Sequence, residues 1–299
     1  MNSASLPVQD ISDTAFLTAF YRVLESDRPD AHFQDPYARI LAGTRGKQVL
    51  QQMPQQEAHA PGCIVRTCVM DELIIQSIEL EGVDAVLNLG AGLDTRAYRL
   101  PLPASLLWIE IDFPTVLDYK ASKLAGIKPG CILKSVPLDV TNSQARQRLF
   151  RDIGSETKKV LIVTEGLLVY LNPEQVAALA RDLWAQPQFS WWLTDLASHS
   201  GLQLIQNSLD QATANGEAKL QFAPAEGTNF FWQLGWETTE FRSLLEEGQR
   251  LQRLDLPEAL LALLSSPEHQ ESLRQLFGFA LLRRSESGRE SFLTDSVSV

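Results

Sequence analysis

Cysteine and histidine are scarce in this sequence, and their spacing does not match a disulfide framework or a metal site. The 299 residues include three cysteines and four histidines. An odd number of cysteines cannot be fully paired, and none of them belongs to a Cys-x-x-Cys arrangement. Cys63 and Cys68 match the usual zinc-ligand spacings poorly, and no histidine cluster accompanies them. We therefore predict that the three cysteines are small buried apolar residues and that the chain holds no metal.

Excess positive charge and long apolar runs are also missing. The formal net charge is −11, and no local cluster of lysine and arginine offsets it. Because affinity for nucleic acid rests largely on cation contacts to phosphate, no nucleic-acid partner is expected. No apolar run approaches the roughly 18 residues of a membrane-spanning helix, and residues 1–10 lack the basic and apolar regions of a signal peptide. These absences predict a cytoplasmic protein with no membrane partner.

Between residues 85 and 194 the chain alternates short apolar runs with segments of helical periodicity. The helical segments lie near 113–126, 142–153 and 173–185, the last of which opens at Asn172-Pro173. Strands and helices that alternate at this spacing predict a mostly parallel sheet with helices on both faces. The apolar runs that we interpret as strands are 85–89, 106–111, 131–138, 160–164 and 189–194.

Helical periodicity dominates the first 80 residues. Apolar side chains recur at helical spacing over 13–26 and again over 63–80, and a proline at position 36 marks the start of a helix between them. These segments predict an N-terminal helical cap over residues 1–80, ahead of a core at 81–199.

The strand–helix alternation is lost after about residue 200. We predict helices at 200–213 and 237–249, and two further strands at 251–256 and 276–282 on either side of a helix that opens at Leu256-Pro257-Glu258. Because no low-complexity linker divides the chain, residues 1–299 are predicted to form one α/β domain. Residues 200–299 would supply an insertion over the ligand site and the last strands of the sheet.

A glycine turn and two acidic residues indicate a nucleoside site. The apolar run 85–89 ends at Gly90-Ala91-Gly92, where backbone without a Cβ atom can turn sharply and let a ligand approach. Glu110 and Asp112 lie at the end of the next strand, on one side of it. An acidic residue at this place can accept hydrogen bonds from both hydroxyls of a ribose. The sequence does not decide which of the two does so.

The turn departs from the dinucleotide-binding fingerprint, which would require glycine at position 95. Thr95 stands there, and Asp94 brings negative charge to a turn that would otherwise receive a pyrophosphate. The adenosine of S-adenosylmethionine carries no phosphate, and its sulfonium is cationic. The turn therefore favours methyl transfer over hydride transfer, although a nicotinamide-dependent oxidoreductase shares the strand–glycine–acid layout.

Four stretches carry a family resemblance: Arg66-Thr67-x-x-x-Asp71, residues 88–100, Glu110-Ile-Asp-Phe-Pro114 with Lys120, and residues 164–171. They resemble the leucine carboxyl methyltransferase-like family, which includes bacterial polyketide O-methyltransferases of the tetracenomycin type. The block at 88–100 is the most specific, and the resemblance spans roughly 13–240. It implies a Rossmann-like class I methyltransferase fold with a seven-stranded, mostly parallel sheet, and S-adenosylmethionine as the methyl donor.

The resemblance also implies roles for individual residues. Arg66 would hold the methionine carboxylate, Gly90 and Gly92 would form the turn beneath it, and Asp112 would bind the ribose. Three further residues would complete the cofactor site: Asp139 and Val140 at the adenine, and Glu165 at the methionine end. Salt bridges are the alternative for Arg66 and Glu165, and a helix cap is the alternative for Asp139. Asp94, Arg96 and Arg99 are interpreted as a structural network under the glycine turn.

The acceptor and any general base are less defined. His199 and Tyr170 are weak candidates for catalysis, and we favour a surface or capping role for His199. The resemblance implies an O-methyltransferase that acts on a carboxylate or phenolic hydroxyl of a small molecule. A protein C-terminal carboxylate and a catalytically silent S-adenosylmethionine-binding protein are the alternatives. Five aromatic residues would either cover the acceptor or pack in the core: Phe222, Phe230, Phe231, Trp232 and Trp236.

Overall fold

The computed structural model describes residues 11–52, 59–210, 220–255 and 266–285, and a seven-stranded sheet forms its centre. The strand order is β3-β2-β1-β4-β5-β7-β6. Strand β7 runs antiparallel to the other six. This arrangement confirms the seven-stranded, mostly parallel sheet. The strands are β1 (Ala85–Leu89), β2 (Leu107–Asp112), β3 (Ile132–Pro137), β4 (Val160–Thr164), β5 (Phe189–Ala197), β6 (Trp236–Ser243) and β7 (Phe277–Arg284).

Helices precede the sheet and connect its strands. Within the described residues no helix is both long and apolar enough to cross a bilayer. The helices are α1 (Ile11–Ser26), α2 (Ala38–Gln52), α3 (Ala60–Glu81), α4 (Arg96–Arg99), α5 (Pro114–Lys123), α6 (Ser143–Glu156), α7 (Pro173–Trp184), α8 (His199–Asp210), α9 (Asn229–Trp232), α10 (Leu244–Arg250) and α11 (Pro267–Arg274).

Two apolar layers cover the two faces of the sheet. Every residue of β1 and β4 is buried, as expected of central parallel strands. On one face the layer is built largely from α3, with Val69, Met70 and Leu73 fully buried. On the other face it is built from α6 and α7 together with the aromatic residues that follow the fifth strand. The sheet therefore separates two cores, and α3 of the N-terminal cap belongs to one of them.

The sequence prediction for the sixth strand is wrong. A helix was predicted over 237–249, but residues 236–243 form β6 and the helix covers only 244–250. Residues 251–255 of the predicted strand form a turn and coil. The β6 sequence is polar and threonine-rich, and it pairs with β7 through a register shift between Thr238 and Glu240. Pairing at a sheet edge, which periodicity does not report, decides this strand. The helix predicted to open at Leu256 lies outside the described residues.

The late aromatic group packs in the core. Phe222, Phe231 and Trp236 are at most 1% exposed, and the Trp192 ring lies 5.1 Å from Phe231 and 5.4 Å from Trp236, edge to face. Trp232 is instead 51% exposed at the surface. The core alternative is therefore the correct one for Phe222, Phe231 and Trp236.

The cysteines behave as predicted where the structure describes them. Cys68 and Cys131 are buried and Cys63 is half-buried, and all three are free thiols.

Candidate active site

A cavity of about 580 Å³ lies at the edge of the sheet where the parallel strands end. This is the place where open α/β sheets bind ligands. The structure brings to it all of the residues predicted for the cofactor and one of the two catalytic candidates: Arg66, Gly90, Gly92, Asp112, Asp139, Val140, Glu165 and Tyr170.

The glycine turn after β1 requires both of its glycines. Gly90 and Gly92 have φ angles of 66° and 51°, in the left-handed region that side chains disfavour. A Cβ atom on Gly90 would also lie 3.0 Å from Leu167 Cδ1. The turn is held to β2, because the Gly90 N–H donates to the Ile111 carbonyl at 2.8 Å. The left-handed backbone therefore fixes the floor of the cavity.

The two acidic residues of β2 have different surroundings. Glu110 is 1% exposed and pairs with the ammonium of Lys120 at 2.7 Å, away from the cavity. Asp112 lies at the cavity wall, where Oδ2 accepts the Gly92 N–H at 2.7 Å and Oδ1 accepts the Phe113 N–H at 2.7 Å. Burial raises the pKa of Asp112, although these two N–H groups oppose the shift. Of the two candidates, only Asp112 faces the cavity.

Arg66 links the ends of β4 and β5. Its Nε donates to Glu165 Oε1 at 2.9 Å, and its Nη1 donates to Asp195 Oδ2 at 2.9 Å. Asp195 also accepts the Gly166 N–H at 2.8 Å, which fixes the loop that follows Glu165. Arg66 Nη2 donates to none of the described residues. The salt-bridge alternative for Arg66 thus holds for two of its nitrogens, and the third is left for a ligand.

Arg96 is the centre of a buried ionic network under the glycine turn. Its Nε donates to Asp71 at 2.6 Å, while Nη1 donates to Asp94 at 3.0 Å and Glu165 at 2.6 Å. Arg99 donates to both oxygens of Asp71. Burial alone would raise the pKa of Glu165, but the charges of Arg96 and Arg66 outweigh it and lower that pKa. Glu165 therefore stays ionised in the cavity wall, and the predicted structural network is present.

The N-terminal helices are tied to this turn by Asp35. Its Oδ2 accepts from Arg22 Nε at 2.8 Å and from the Thr95 hydroxyl at 2.6 Å, and its Oδ1 accepts two N–H groups at the start of α2. Arg22 also donates to the Leu93 carbonyl at 2.6 Å. One buried carboxylate thus joins α1, α2 and the glycine turn, which explains why Thr95 replaces a dinucleotide-binding glycine.

Asp139 stabilises a turn after β3 without capping the next helix. Its Oδ1 accepts from the N–H and the hydroxyl of Thr141, whereas the cap of α6 is Asn142, whose Oδ1 accepts the Ala145 N–H at 3.1 Å. Asp139 and the buried Val140 both line the cavity. The helix-cap alternative for Asp139 is therefore wrong, and its second oxygen has no partner among the described residues.

Comparison with known sequences gives the family. Residues 15–183 match the sequence profile of the family described as leucine carboxyl methyltransferase, which is more than half of the 299 residues. The chain belongs to the leucine carboxyl methyltransferase family.

Individual relatives of the family align with a little over half of the chain. A protein of Parafrankia sp. (strain EAN1pec), named as a candidate S-adenosyl-L-methionine-dependent methyltransferase, is 33% identical over 185 residues, which are 58% of this chain and 58% of the relative. A protein of Mycolicibacterium gilvum (strain PYR-GCK) with the same description is 32% identical over 180 residues, 55% of this chain and 59% of the relative. The chain thus spans less than two thirds of the length of these relatives.

Two solved structures share the fold over nearly their whole length. A DUF574 family protein of Streptomyces avermitilis MA-4680 has a TM-score of 0.56 at 14% identity and covers 89% of this chain and 97% of its own. A candidate methyltransferase of Thermobifida fusca YX has a TM-score of 0.55 at 18% identity, and the match covers 95% of this chain and 97% of that protein. At these identities the likeness concerns the fold, and it supports the Rossmann-like class I methyltransferase arrangement.

The two catalytic candidates differ in position. Tyr170 lines the cavity, its hydroxyl is hydrogen-bonded to Thr14, and burial raises its pKa, so that it stays protonated at neutral pH. His199 lies exposed at the start of α8, where its Nε2 is 3.1 Å from Gln203 Nε2. His199 does not belong to the described cavity wall. The structure therefore gives this family member no base at His199 and favours the surface role.

The sequence reasoning missed several cavity residues, among them Phe113, Asp195 and His59. Phe113 directly follows Asp112 and is exposed enough to meet a ligand. Asp195 follows the apolar start of β5 just as Glu165 follows β4, so the same argument applied to the fifth strand would have found it. His59 lies just before α3, and no sequence pattern marked it.

The ionic network predicts how stability depends on pH. Burial would raise the pKa of Asp94, but the charges of Arg96 and Lys120 hold it well below the ordinary 3.8. The stabilisation from this carboxylate is therefore complete above about pH 4 and is lost as the pH falls towards the lowered pKa. We expect Asp94→Asn to be less stable than wild type at pH 7, with the difference shrinking below about pH 4. Urea unfolding of both proteins between pH 3 and 7 measures this difference in the free energy of unfolding. A difference that does not change with pH would contradict the lowered pKa of Asp94.

Proposed function

We propose that this chain is an S-adenosylmethionine-dependent methyltransferase that methylates an oxygen of a small molecule, either a carboxylate or a phenolic hydroxyl. The observation that carries the proposal is the position of Asp112. A carboxylate offers about four lone-pair sites, and each Asp112 oxygen accepts a single backbone N–H. One lone pair on each oxygen is thus free to accept the two hydroxyls of a ribose at the end of β2. The relatives named as candidate S-adenosylmethionine-dependent methyltransferases support the same donor.

The remaining cavity residues fit the other parts of the donor. Asp139, Val140 and Phe113 lie beyond Asp112 and offer the adenine one acceptor between apolar surfaces. On the opposite side, Arg66 Nη2 is available to a methionine carboxylate, and charge-assisted hydrogen bonds of this kind are strong. The ionised Glu165 places negative charge where a cationic sulfonium is expected. The residues present therefore fit S-adenosylmethionine.

The role of the protein in such a reaction is chiefly alignment. When bound, S-adenosylmethionine supplies a methyl group on a positively charged sulfur, which is already electrophilic. The cavity walls would hold the acceptor oxygen in line with this group. Alignment of two bound reactants can supply about 7–11 kcal/mol of the barrier reduction.

A dinucleotide is the rival ligand, and the turn disfavours it. The place of the third fingerprint glycine is filled by the buried Thr95, whose hydroxyl is committed to Asp35. The adjoining Asp94 carboxylate is ionised and lines the cavity. A pyrophosphate in this turn would meet that carboxylate, and the neighbouring Arg96 is already bonded to Asp71, Asp94 and Glu165.

Calorimetric titration separates these ligands. We expect S-adenosylhomocysteine to bind with one site per chain and NADH to release no binding heat under the same conditions. Binding of NADH in preference to S-adenosylhomocysteine would contradict the proposal. Transfer of a labelled methyl group from S-adenosylmethionine to an added acceptor then distinguishes an enzyme from a catalytically silent binding protein.

A further inference from the structure

The cavity is longer than the methyl donor requires, and its second half lies beside β5 and β7. It extends along the sheet edge from Asp112 on β2 to Phe277 on β7. With β1, β4 and β5 between them, four strand spacings amount to about 19 Å. The proposed donor occupies the part over β2, β1 and β4. The part over β5 and β7, which the start of α3 also lines, is therefore the acceptor half.

Positive charge in the cavity is already neutralised. Four arginines line it, and no lysine does so among the residues that the structure describes. Arg22 pairs with Asp35, Arg99 pairs with Asp71, and Arg96 pairs with three carboxylates. Arg66 pairs with Glu165 and Asp195, and its remaining nitrogen is needed for the donor. Each of the four guanidinium groups that line the cavity is thus already paired with at least one carboxylate.

Negative charge faces the place where the acceptor must react. Glu165 and Asp195 lie side by side at the ends of β4 and β5, bridged by Arg66. Arg66 and Arg96 pair with these two carboxylates, so a carboxylate acceptor would have to lose its water beside them without a cation of its own. Burial of a charge without a partner is costly, and like charges brought together add to that cost. A neutral acceptor avoids both of these costs.

The start of α3 places a histidine, at the N-cap position, in the acceptor half. His59, Gly62, Cys63, Arg66 and Thr67 all line the cavity, at the spacing of one helix face. His59 lies seven residues before Arg66, which corresponds to about 10 Å along the helix axis. A Cβ atom placed on Gly62 would lie 3.7 Å from Leu244 Cδ2, so this end of α3 lies towards β6 and β7. His59 is therefore at the acceptor half, away from the donor.

We propose that the acceptor is a neutral hydroxyl on an apolar ring compound, and that His59 accepts the hydroxyl proton; this rests on the proposed function. A bond forms between the hydroxyl oxygen and the methyl carbon while the carbon–sulfur bond breaks, and its electron pair stays on sulfur. The proton passes to an imidazole nitrogen and then to solvent. The products are a methyl ether, S-adenosylhomocysteine and one proton.

The titration behaviour of the neighbouring groups agrees with this assignment. Burial lowers the pKa of His59, so its imidazole is neutral and able to accept a proton near pH 7. Burial raises the pKa of the Cys63 thiol and of the Tyr170 phenol, so both keep their protons. Among the described cavity residues, His59 is the single histidine.

A matched pair of probes tests the acceptor class by binding alone. Protein saturated with S-adenosylhomocysteine is titrated with 2-naphthol and with 2-naphthoic acid at neutral pH. We expect 2-naphthol to bind at least about tenfold more tightly, because the naphthoate charge finds no cation. Equal binding, tighter binding of the acid or binding of neither probe would overturn the proposal.

A pair of histidine variants tests the base. Methyl transfer from labelled S-adenosylmethionine is measured over a panel of naphthols and the matching naphthoic acids. We expect transfer to the naphthols, reduced about 10²- to 10⁴-fold in His59→Asn, the range for a lost general base. Asparagine is a favourable residue at a helix start, so α3 should be preserved. His199→Asn is the control, and its transfer rate should equal that of wild type.

The failures of the two proposals are distinguishable. If S-adenosylhomocysteine does not bind, the proposed function fails. If it binds while the acids are methylated in place of the naphthols, or neither series is methylated, the neutral-acceptor proposal fails. If the naphthols are methylated and His59→Asn keeps the wild-type rate, the assignment of His59 as the base fails.

Discussion

Replacing Arg96 by methionine is expected to lower the free energy of unfolding by about 3–5 kcal/mol, the cost of removing one partner from a buried ionic group. The Arg96 side chain is 3% exposed and holds Asp71, Asp94 and Glu165 together. Methionine retains an apolar chain of similar length but leaves three carboxylates with fewer counter-charges. The glycine turn and the end of β4, which these carboxylates stabilise, should lose their fixed geometry with it.

A surface arginine gives the matched control. Arg283 pairs with Glu237 at 2.9 Å, with both side chains at least 40% exposed. Exposed pairs contribute about 0–1 kcal/mol, so Arg283→Met should unfold at nearly the wild-type urea concentration. Arg96→Lys keeps the charge but loses the fork of donors, and we expect a stability between those of wild type and Arg96→Met. Equal midpoints for Arg96→Met and Arg283→Met would show that the network does not support the fold.

The strands that could be predicted from the sequence are those in which burial requires apolar residues. β1 and β4 are short apolar runs because both of their faces are covered, and such runs are visible without a structure. β6 was missed because it is an edge strand, in which Thr238 and Glu240 are compatible with a helix as well. Its state is decided by pairing with β7, more than 30 residues later in the chain, and local periodicity carries no information about such pairing.

The residues predicted for the cofactor line one cavity because they lie at strand ends. Gly90, Asp112 and Glu165 each follow an apolar run, so their convergence at one edge follows from parallel strands. The partners of these residues could not be predicted, because ion pairs such as Arg96–Glu165 and Arg66–Asp195 join segments far apart in sequence. The family profile and the fold support the donor side, but the individual contacts to S-adenosylmethionine stay proposals.

The acceptor side was predicted poorly for a related reason. It is built from helix faces, and His59 and His199 look alike in a sequence, although one lines the cavity and the other is exposed. The late segment contributes Leu220 and Gln221 to the cavity wall, whereas its aromatic residues fill the core. The single-domain organisation, the cytoplasmic location and the absence of nucleic-acid partners stay predictions.

The proposed donor site depends most on the ribose contact of Asp112. Removal of this carboxylate should therefore have the largest effect on S-adenosylhomocysteine binding. Asp112→Ala removes two charge-assisted acceptors, so the Kd for S-adenosylhomocysteine is expected to rise about 100-fold. Asp118→Ala is the matched control, because it removes the same charge from an exposed position on α5 that does not belong to the described cavity wall. It should leave the Kd unchanged.

Titration of wild type, Asp112→Ala and Asp118→Ala with S-adenosylhomocysteine is therefore the most direct measurement, with thermal unfolding of each protein as a check that the variants are folded. We expect loss of affinity in Asp112→Ala alone. A folded Asp112→Ala protein that binds S-adenosylhomocysteine as tightly as wild type would contradict it.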